Sequence, residues 1–209
     1  MNLITFQKQG KEKQDAIIAA GVEEFSQKTF KDASTDVIVQ KCGISKGLLF
    51  HYFGSKKNFY LYCLSCALDN LMEKSDLSNG DFYSILFSVM DAKLALCARY
   101  PAQTRFVNMA ARDMSTQIRE DKAELFMKYS AQRHVMSAAV IEQALATLSL
   151  KPHDIGKVQE ALLLYTNAVI SKYLVTYQHN PDAFFENAAQ IQIEIKEFID
   201  FMLYGIADK

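Results

Sequence analysis

The feature that most constrains the fold of this chain is a pair of short helix signals around a tight turn, at residues 34–53. Ser34 is a good N-cap for a first helix, and Gly43 stands where that helix should end, because only glycine takes the left-handed C′ conformation at little cost. Ser45 is a good N-cap for the second helix. Two helices of about two turns joined in this way predict a helix-turn-helix.

The second helix of the pair has two chemically different faces. Leu49 and Phe53 are four residues apart and predict an apolar face packed on a core. We expect Lys46, His51 and Tyr52 on the opposite face. A cation, an imidazole and a phenol suit a DNA groove better than a protein interior.

The rest of the chain predicts an all-α fold of about nine helices. Its 209 residues include only three prolines and eight glycines, which favours long uninterrupted helices. We expect residues 1–9 to be a frayed arm and Tyr100-Pro101 to separate two helices. Besides the pair above, apolar spacing predicts helices at about residues 11–27, 55–74, 82–99, 102–112, 116–148, 151–178 and 182–205.

Charge and composition limit the classes of function that this chain can have. The net charge is −1, but residues 1–60 contain nine lysines and six acidic residues, so this part carries +3 and the remainder −4. A mildly basic N-terminal domain suits modest phosphate binding. The N-terminal residues show no secretory signal pattern, no apolar run reaches the roughly 18–20 residues of a membrane span, and four cysteines indicate free thiols, so we expect a cytoplasmic protein without a membrane segment.

A spaced series of residues resembles the tetracycline-repressor (TetR) family of transcription regulators over roughly residues 11–65. The series departs from the family pattern at Thr29, Val39, Leu48 and Phe50, where the family more often has glycine, alanine, threonine or serine, and tyrosine. The matching residues are Ile17-Ile18-Ala19-Ala20, Phe25, Phe30, Ser34-Thr35, Ile38, Gly43-Ile44-Ser45, Gly47, Leu49-Phe50, Tyr52-Phe53 and Ser55-Lys56.

The resemblance implies a function and a domain organisation. It implies a DNA-binding head at residues 1–54 and a ligand-binding and dimerisation domain at residues 55–209, with no cofactor, metal or catalytic residue. Such a regulator, most often a repressor, leaves a palindromic operator when a small effector binds. For this chain we expect a largely apolar effector.

Both the helix positions and the resemblance suggest which residues contact DNA. Ser34, Thr35, Tyr52 and Lys56 are predicted to contact phosphates, and the start of the helix at Ser45 offers free backbone N–H groups. Lys46 and His51 are predicted to contact base edges, and Gly47 to let the backbone come close to DNA. Leu48 or Phe50 could meet a thymine methyl, although Phe50 could equally belong to the core.

The last two helices carry apolar residues on two sides, which predicts that each is covered twice. One side is expected to face the core of the chain. The resemblance implies that the other side faces a second subunit in a four-helix bundle. The alternative is that each helix lies wholly inside a monomer. The expected interface is Val158, Leu162, Val169, Tyr173, Phe184, Ala188, Ile191, Ile195, Phe198 and Met202.

An effector pocket between the middle helices is implied by the resemblance alone. Polar residues within apolar helices are its best indicators, although the whole set could simply be core. The candidate lining is Phe87, Met90, Arg105, Phe106, Met109, Tyr129, His134, Tyr165 and Asn167.

Two other classes of function were weighed against this one. Cys63 and Cys66 form a C-x-x-C pattern that could belong to a thiol- or metal-responsive regulator, but the pair lies about two turns into a helix, where cysteines usually pack as small apolar residues. No motif for hydrolysis, nucleotide binding or zinc catalysis is present, so an enzyme is not expected.

Overall fold

The structure is a computed structural model that describes residues 2–72, 79–149, 155–177 and 182–205, and over this part of the chain it is helical without a β-strand. The prediction of an all-α fold is confirmed. The helices are α1 (Leu3–Gln7), α2 (Lys11–Gln27), α3 (Thr35–Cys42), α4 (Lys46–Phe53), α5 (Lys56–Leu71), α6 (Phe82–Arg99), α7 (Pro101–Arg112), a 3-10 turn (Thr116–Ile118), α8 (Arg119–Leu145), α9 (Ile155–Thr176), α10 (Asp182–Glu186) and α11 (Ala188–Tyr204).

Most predicted helix ends are confirmed, because their signals are local. Gly43 ends α3 in the left-handed conformation, with φ 66° and ψ 31°. The Ser45 side chain accepts a hydrogen bond from the N–H of Leu48 at the start of α4, and Ser55 caps α5 in the same way. Pro101 occupies the first position of α7.

Two predictions about helices are wrong. Residues 1–9 are not a frayed arm, because α1 forms there and buries Phe6. The last helix is not continuous over residues 182–205, since it is interrupted at Asn187 between α10 and α11. Predicted segments at residues 73–78, 150–154 and 178–181 lie outside the described residues.

The described residues within Met1–Lys74 and Ala95–Gln132 form one compact unit, which we call the head unit. It contains α1 to α5, α7 and the first part of α8. Its core is rich in aromatic rings that contact one another at centroid distances of about 5–6 Å. The largest fully buried side chains there include Phe6, Phe25, Phe53, Phe59, Tyr60 and Phe106.

Close packing between α2 and α5 depends on Gly21. A Cβ at this position would lie 2.6 Å from a ring carbon of Phe59 and 2.7 Å from Sγ of Cys63. Any side chain here would push α2 away from α5, so the position requires glycine.

The described residues within Ser75–Leu94 and Arg133–Lys209 form a second compact unit, which we call the C-terminal unit. Its core is mainly aliphatic, and α9 packs against α11 within it. The fully buried side chains at its centre are Leu162, Ala144, Ile191 and Ile199.

The compact units and the predicted functional domains differ in extent. The head unit continues beyond residue 54, because α5, α7 and part of α8 pack with the first four helices. The functional boundary between residues 54 and 55 stays a prediction. None of the described helices is long and apolar enough to cross a bilayer.

Candidate nucleic-acid interface

The helix-turn-helix is formed by α3 and α4 and is anchored on α2 by a buried carboxylate. Glu24 accepts hydrogen bonds at 2.9 Å from the backbone N–H of Ser34 and from Nζ of Lys28. Burial would raise the pKa of Glu24, but these two bonds outweigh it and leave the pKa lowered. The start of α3 is therefore fixed to the helix behind it by an ionised carboxylate.

The outer face of α4 consists of Lys46, Gly47 and His51, all of them exposed, and we call it the reading face. A Cβ built on Gly47 meets no atom within 4 Å, so the backbone there borders open space. Ser45 is exposed as well, while Leu48 and Phe50 are half-buried at the edges. The opposite side of α4 carries Leu49 and Phe53, both fully buried.

Tyr52 does not lie on the reading face, and that prediction is wrong. Its side chain is 2% exposed and its ring contacts Phe6 at a centroid distance of 5.5 Å. The physical reason is helical geometry, since Tyr52 follows Leu49 by three residues and lies on the same side as Phe53. A phosphate contact by Tyr52 could use only the rim of its phenol.

The predicted phosphate contacts on α3 are reduced in the same way. Thr35 is 7% exposed, so it offers little surface to a phosphate. Ser34 is half-buried, makes no side-chain cap, and its N–H is already bonded to Glu24. What remains for a phosphate at this end is the backbone N–H groups at the start of α3.

Lys46 is paired within the chain. Its Nζ lies 2.9 Å from Oδ2 of Asp36 on α3, and the two side chains are 48% and 70% exposed. Ion pairs this exposed contribute at most about 1 kcal/mol. Lys46 is therefore free to exchange its partner for a guanine or a phosphate.

Lys56, at the start of α5, is held in place by the turn between α2 and α3. Its Nζ lies 4.9 Å from the ring centre of Phe30 and donates a hydrogen bond to the carbonyl of Lys31 at 3.3 Å. Burial lowers its pKa, although the acidic residues around it, Asp32 first, oppose this. The neighbouring Lys57 is instead paired with Asp121, at 2.5 Å.

A second buried group stabilises this turn, and no pattern in the sequence indicates it. The carboxylate of Asp113, which follows α7, accepts the backbone N–H of Phe30 at 2.5 Å and that of Ser115 at 2.8 Å. Burial alone would raise the pKa of Asp113, but these hydrogen bonds lower it. The buried ammonium of Lys122 donates to the carbonyls of Ala110 and Asp113 and closes the end of α7.

The predicted effector-pocket residues do not line one cavity. Phe106 and Tyr129 belong to the core of the head unit, where Tyr129 donates a hydrogen bond to Asp69, whereas Arg105 and His134 are exposed. Met109 also falls within the head unit, while Phe87, Met90, Tyr165 and Asn167 fall within the C-terminal unit. Tyr165 stacks on Phe198 there, with ring centres 3.5 Å apart.

The C-terminal unit does contain one small cavity that Asn167 borders. Its volume is about 70 Å³, well below the roughly 300–1,000 Å³ of sites for organic ligands. The buried hydroxyl of Thr166, in the same wall, has no hydrogen-bond partner. The lining is Arg133, Ser137, Ile141, Leu163, Thr166, Asn167 and Ile170.

Much of the predicted dimer interface is core of the single chain. Leu162, Val169, Ala188, Ile191 and Ile195 are all buried, so they have little surface left for a partner. Val158, Tyr173, Phe184, Phe198 and Met202 are half-buried. The large apolar residues that α9 and α11 leave exposed are others: Ile155, Leu164, Val175, Ile193, Phe201 and Tyr204.

The cysteines give little support to a sensor. Cys63 is fully buried, which raises the pKa of its thiol well above the ordinary value, and burial raises that of Cys66 too. Within the described ranges, no three His, Cys, Asp or Glu side chains are grouped so that they could hold a metal ion.

Comparison with known proteins agrees with this geometry. Residues 17–63 match the family model for bacterial regulatory proteins of the tetR family, a stretch that includes α3 and α4. No curated protein sequence matches the chain.

Solved structures resemble the whole chain. A TetR family transcriptional regulator from Chloroflexus aurantiacus is 20% identical with a TM-score of 0.57, and the alignment covers 100% of both chains. A tetR-family regulator from Streptomyces coelicolor is 18% identical with a TM-score of 0.60, over 90% of this chain and 80% of the other. A TetR-like regulator from Rhodococcus sp. RHA1 is 16% identical with a TM-score of 0.58, over 95% and 99%.

An all-α chain whose helix-turn-helix presents a polar face and buries its apolar one has the architecture of DNA-binding transcription regulators. Residues 17–63 match the TetR-family model and the chain has the fold of TetR-family transcriptional regulators, so the resemblance seen in the sequence is confirmed.

Proposed function

We propose that the protein is a cytoplasmic, homodimeric repressor that binds a palindromic operator through α4 and is released by a small, largely apolar effector. The reading face supports this most directly, because α4 exposes Lys46, Gly47 and His51 while its opposite side is fixed in the head core. A rigid helix with exposed donors can enter a major groove. We propose no catalytic activity.

The proposed contacts divide into two groups. Lys46 and His51 read base edges, with Leu48 or Phe50 against a thymine methyl. Lys56 and the backbone N–H groups at the starts of α3 and α4 hold phosphates, and so fix the position of the head without reading sequence.

The dimer is proposed to form through the exposed apolar residues of α9 and α11, named above. Six large apolar side chains on two packed helices would be an unusual surface for a monomer. A two-fold dimer carries two reading faces, which match two half-sites about one helical turn of DNA, roughly 34 Å, or a multiple of it apart.

The effector is proposed to act through the spacing of the two heads. It weakens DNA binding only if it prefers a conformation in which the heads no longer match the half-sites. The cavity beside Asn167 is the candidate entry point, and an organic effector would have to widen it. The thiol-responsive alternative lacks a supporting observation, since Cys63 is buried and burial raises the pKa of both thiols.

The test is a mobility shift of the purified protein on the DNA upstream of its own gene, at two salt concentrations. We expect a sequence-preferring, salt-sensitive shift for the wild type, with base preference relaxed in Lys46→Ala and His51→Ala. Lys56→Ala should weaken binding to all sequences alike and shallow the salt slope by about one unit. Tyr52→Phe should also weaken binding to all sequences alike if its phenol rim touches a phosphate.

Two results would contradict different parts of this proposal. If the protein binds no DNA at low salt, after a denatured extract has shown no retained small molecule, the proposed function is wrong. If Lys46→Ala and His51→Ala change affinity equally for all sequences, the assignment of base contacts to the reading face is wrong.

A further inference from the structure

We propose that α1 is a positioning element for the recognition helix α4, acting through Phe6 and the backbone of Asn2. The proposal rests on the proposed function, in which α4 reads DNA. Neither the family match, which begins at residue 17, nor the spacing of apolar residues assigns any role to α1.

The first observation is a hydrogen bond at the C-terminal end of α4. The last carbonyls of a helix have no partner within it and need one from elsewhere. The N–H of Asn2 donates to the carbonyl of Tyr52 at 2.8 Å. The neighbouring carbonyl of Phe53 accepts from Nδ2 of Asn58 at 2.9 Å, so α1 and α5 together fix this end of α4.

The second observation is the packing of Phe6. This side chain is 1% exposed, and its ring centre lies 4.9 Å from that of Phe53 and 5.7 Å from that of Tyr62. Together with Tyr52, these rings cover Phe6 from α4 and from α5. A five-residue helix has little stability of its own, so the packing of Phe6 helps to hold α1 in place.

The third observation is that α1 is itself fixed to α2. Oδ1 of Asn2 caps α1 by accepting from the N–H and the hydroxyl of Thr5. At the other end, Nε2 of Gln14 donates to the carbonyl of Gln9 at 2.7 Å and to that of Gln7 at 3.1 Å. Because α1 is hydrogen-bonded at both of its ends, it can hold the C-terminal end of α4 in a fixed position.

The consequence concerns base reading more than phosphate binding. The start of α4 is set by the turn at Gly43, while its C-terminal end, next to the exposed His51, is set by α1. Loosening that end would change the angle at which the reading face enters the groove. Contacts to base edges depend on angle more strongly than contacts to phosphates do.

The experiment compares Phe6→Ala with Ile4→Ala in the full-length protein. Ile4 is the matched control, because it lies in the same short helix and is 67% exposed. Affinity is measured for the operator and for random DNA at several salt concentrations, well below the melting temperature of each variant. Circular dichroism confirms that each variant is folded.

We expect Phe6→Ala to lose about tenfold in operator affinity, as for a lost base contact, with random-DNA affinity and the salt slope unchanged. Ile4→Ala should bind like the wild type. A merely structural role would lower the melting temperature and leave operator affinity unchanged below it. If Phe6→Ala does not fold, Phe6→Leu replaces it, with a smaller expected loss of the same kind.

Three results would overturn the inference. One is equal operator affinity for the two variants and the wild type. The others are a parallel loss on operator and random DNA, and a shallower salt slope, which would mean that α1 touches phosphates itself. A wild-type protein that prefers no sequence would instead refute the proposed function, so the two failures are distinguishable.

Discussion

The head unit and the C-terminal unit differ in how many large apolar side chains each leaves exposed to solvent. The head unit closes its aromatic core within one chain and exposes three large apolar side chains, Ile4, Met114 and Met127, among its described residues. The described part of the C-terminal unit exposes seven: Val135, Ile155, Leu164, Val175, Ile193, Phe201 and Tyr204.

This difference indicates which kind of partner each unit needs. Exposed apolar surface is removed from water most effectively by another protein surface, which suits a second copy against α9 and α11. The head unit presents charged and polar groups instead, on the reading face and around Lys56. Such groups gain most from a polyanion. Four substitutions test this contrast, in decreasing order of the change that we expect.

The closure of the head core is tested by Phe106→Ala. Phe106 is fully buried and its ring centre lies 5.1 Å from that of Tyr60 and 5.5 Å from that of Phe25. We expect the free energy of unfolding to fall by about 3–5 kcal/mol in urea denaturation. Arg105→Ala, an exposed neighbour on α7, should change it by less than about 0.5 kcal/mol. Equal effects would mean that the ring is not enclosed.

Leu164→Glu tests whether the exposed apolar surface of the C-terminal unit binds a second copy of the chain. This side chain is 66% exposed on α9, so a charge there should leave the folded chain intact but oppose a dimer. We expect the sedimenting species to change from dimer to monomer, with operator affinity reduced at least about tenfold. Ser130→Glu, which adds the same charge at an exposed position of α8, should remain dimeric. A dimeric Leu164→Glu would place the interface elsewhere.

Asp113→Asn tests the hydrogen bond by which the buried Asp113 carboxylate stabilises the turn between α2 and α3. Losing a charge-assisted acceptor for the Phe30 N–H should lower stability by about 1–3 kcal/mol at neutral pH. The pKa of Asp113 is lowered in the folded protein, so its contribution is present above its unfolded value of about 3.8 and disappears as the pH falls through the folded value. Wild type and variant should therefore begin to converge in melting temperature below about pH 3.8 and meet once the pH is below the lowered pKa of the folded protein. Glu120→Gln, at an exposed position of α8, serves as control, and a difference in melting temperature that persists in acid would contradict the assignment.

Asp36→Asn tests whether the exposed charge of Lys46 on the reading face is available to DNA. Removing this carboxylate frees Lys46 and takes a negative charge away from the reading face. We expect binding to any DNA to tighten about two- to fivefold, which corresponds to a surface ion pair of below about 1 kcal/mol. Asp15→Asn, which opens a comparable exposed pair with Lys11 on α2, is the control. Equal tightening by both variants would show a general charge effect.

The sequence predicted what local chemistry determines. Gly43, Ser45 and Pro101 mark helix ends by their own conformational preferences, and the structure has helix ends there. It did not predict α1, because five residues show no periodicity and the helix depends on Phe6 meeting rings distant in sequence. The burial of Tyr52 was missed for a related reason, since a phenol next to a histidine looks polar until its neighbours are known.

The apolar stripes of α9 and α11 show a second limit. Periodicity identifies a residue that is covered, but it does not say whether the cover is the same chain or another. Ile191 and Ile195 fit the spacing expected of an interface and are buried within the chain. Asp113 illustrates a third limit, because its acceptor role depends on a backbone N–H 83 positions away.

The packing of α7 against the head has a consequence for modular engineering. A gene fusion that moved only residues 1–54 onto another regulator would leave Phe25 without Phe106 and the N–H of Phe30 without Asp113. Such a chimaera would carry a cavity in its transplanted part and would need residues 55–74 and Ala95–Gln132 as well. In this protein, the smallest exchangeable DNA-reading part is discontinuous in the chain.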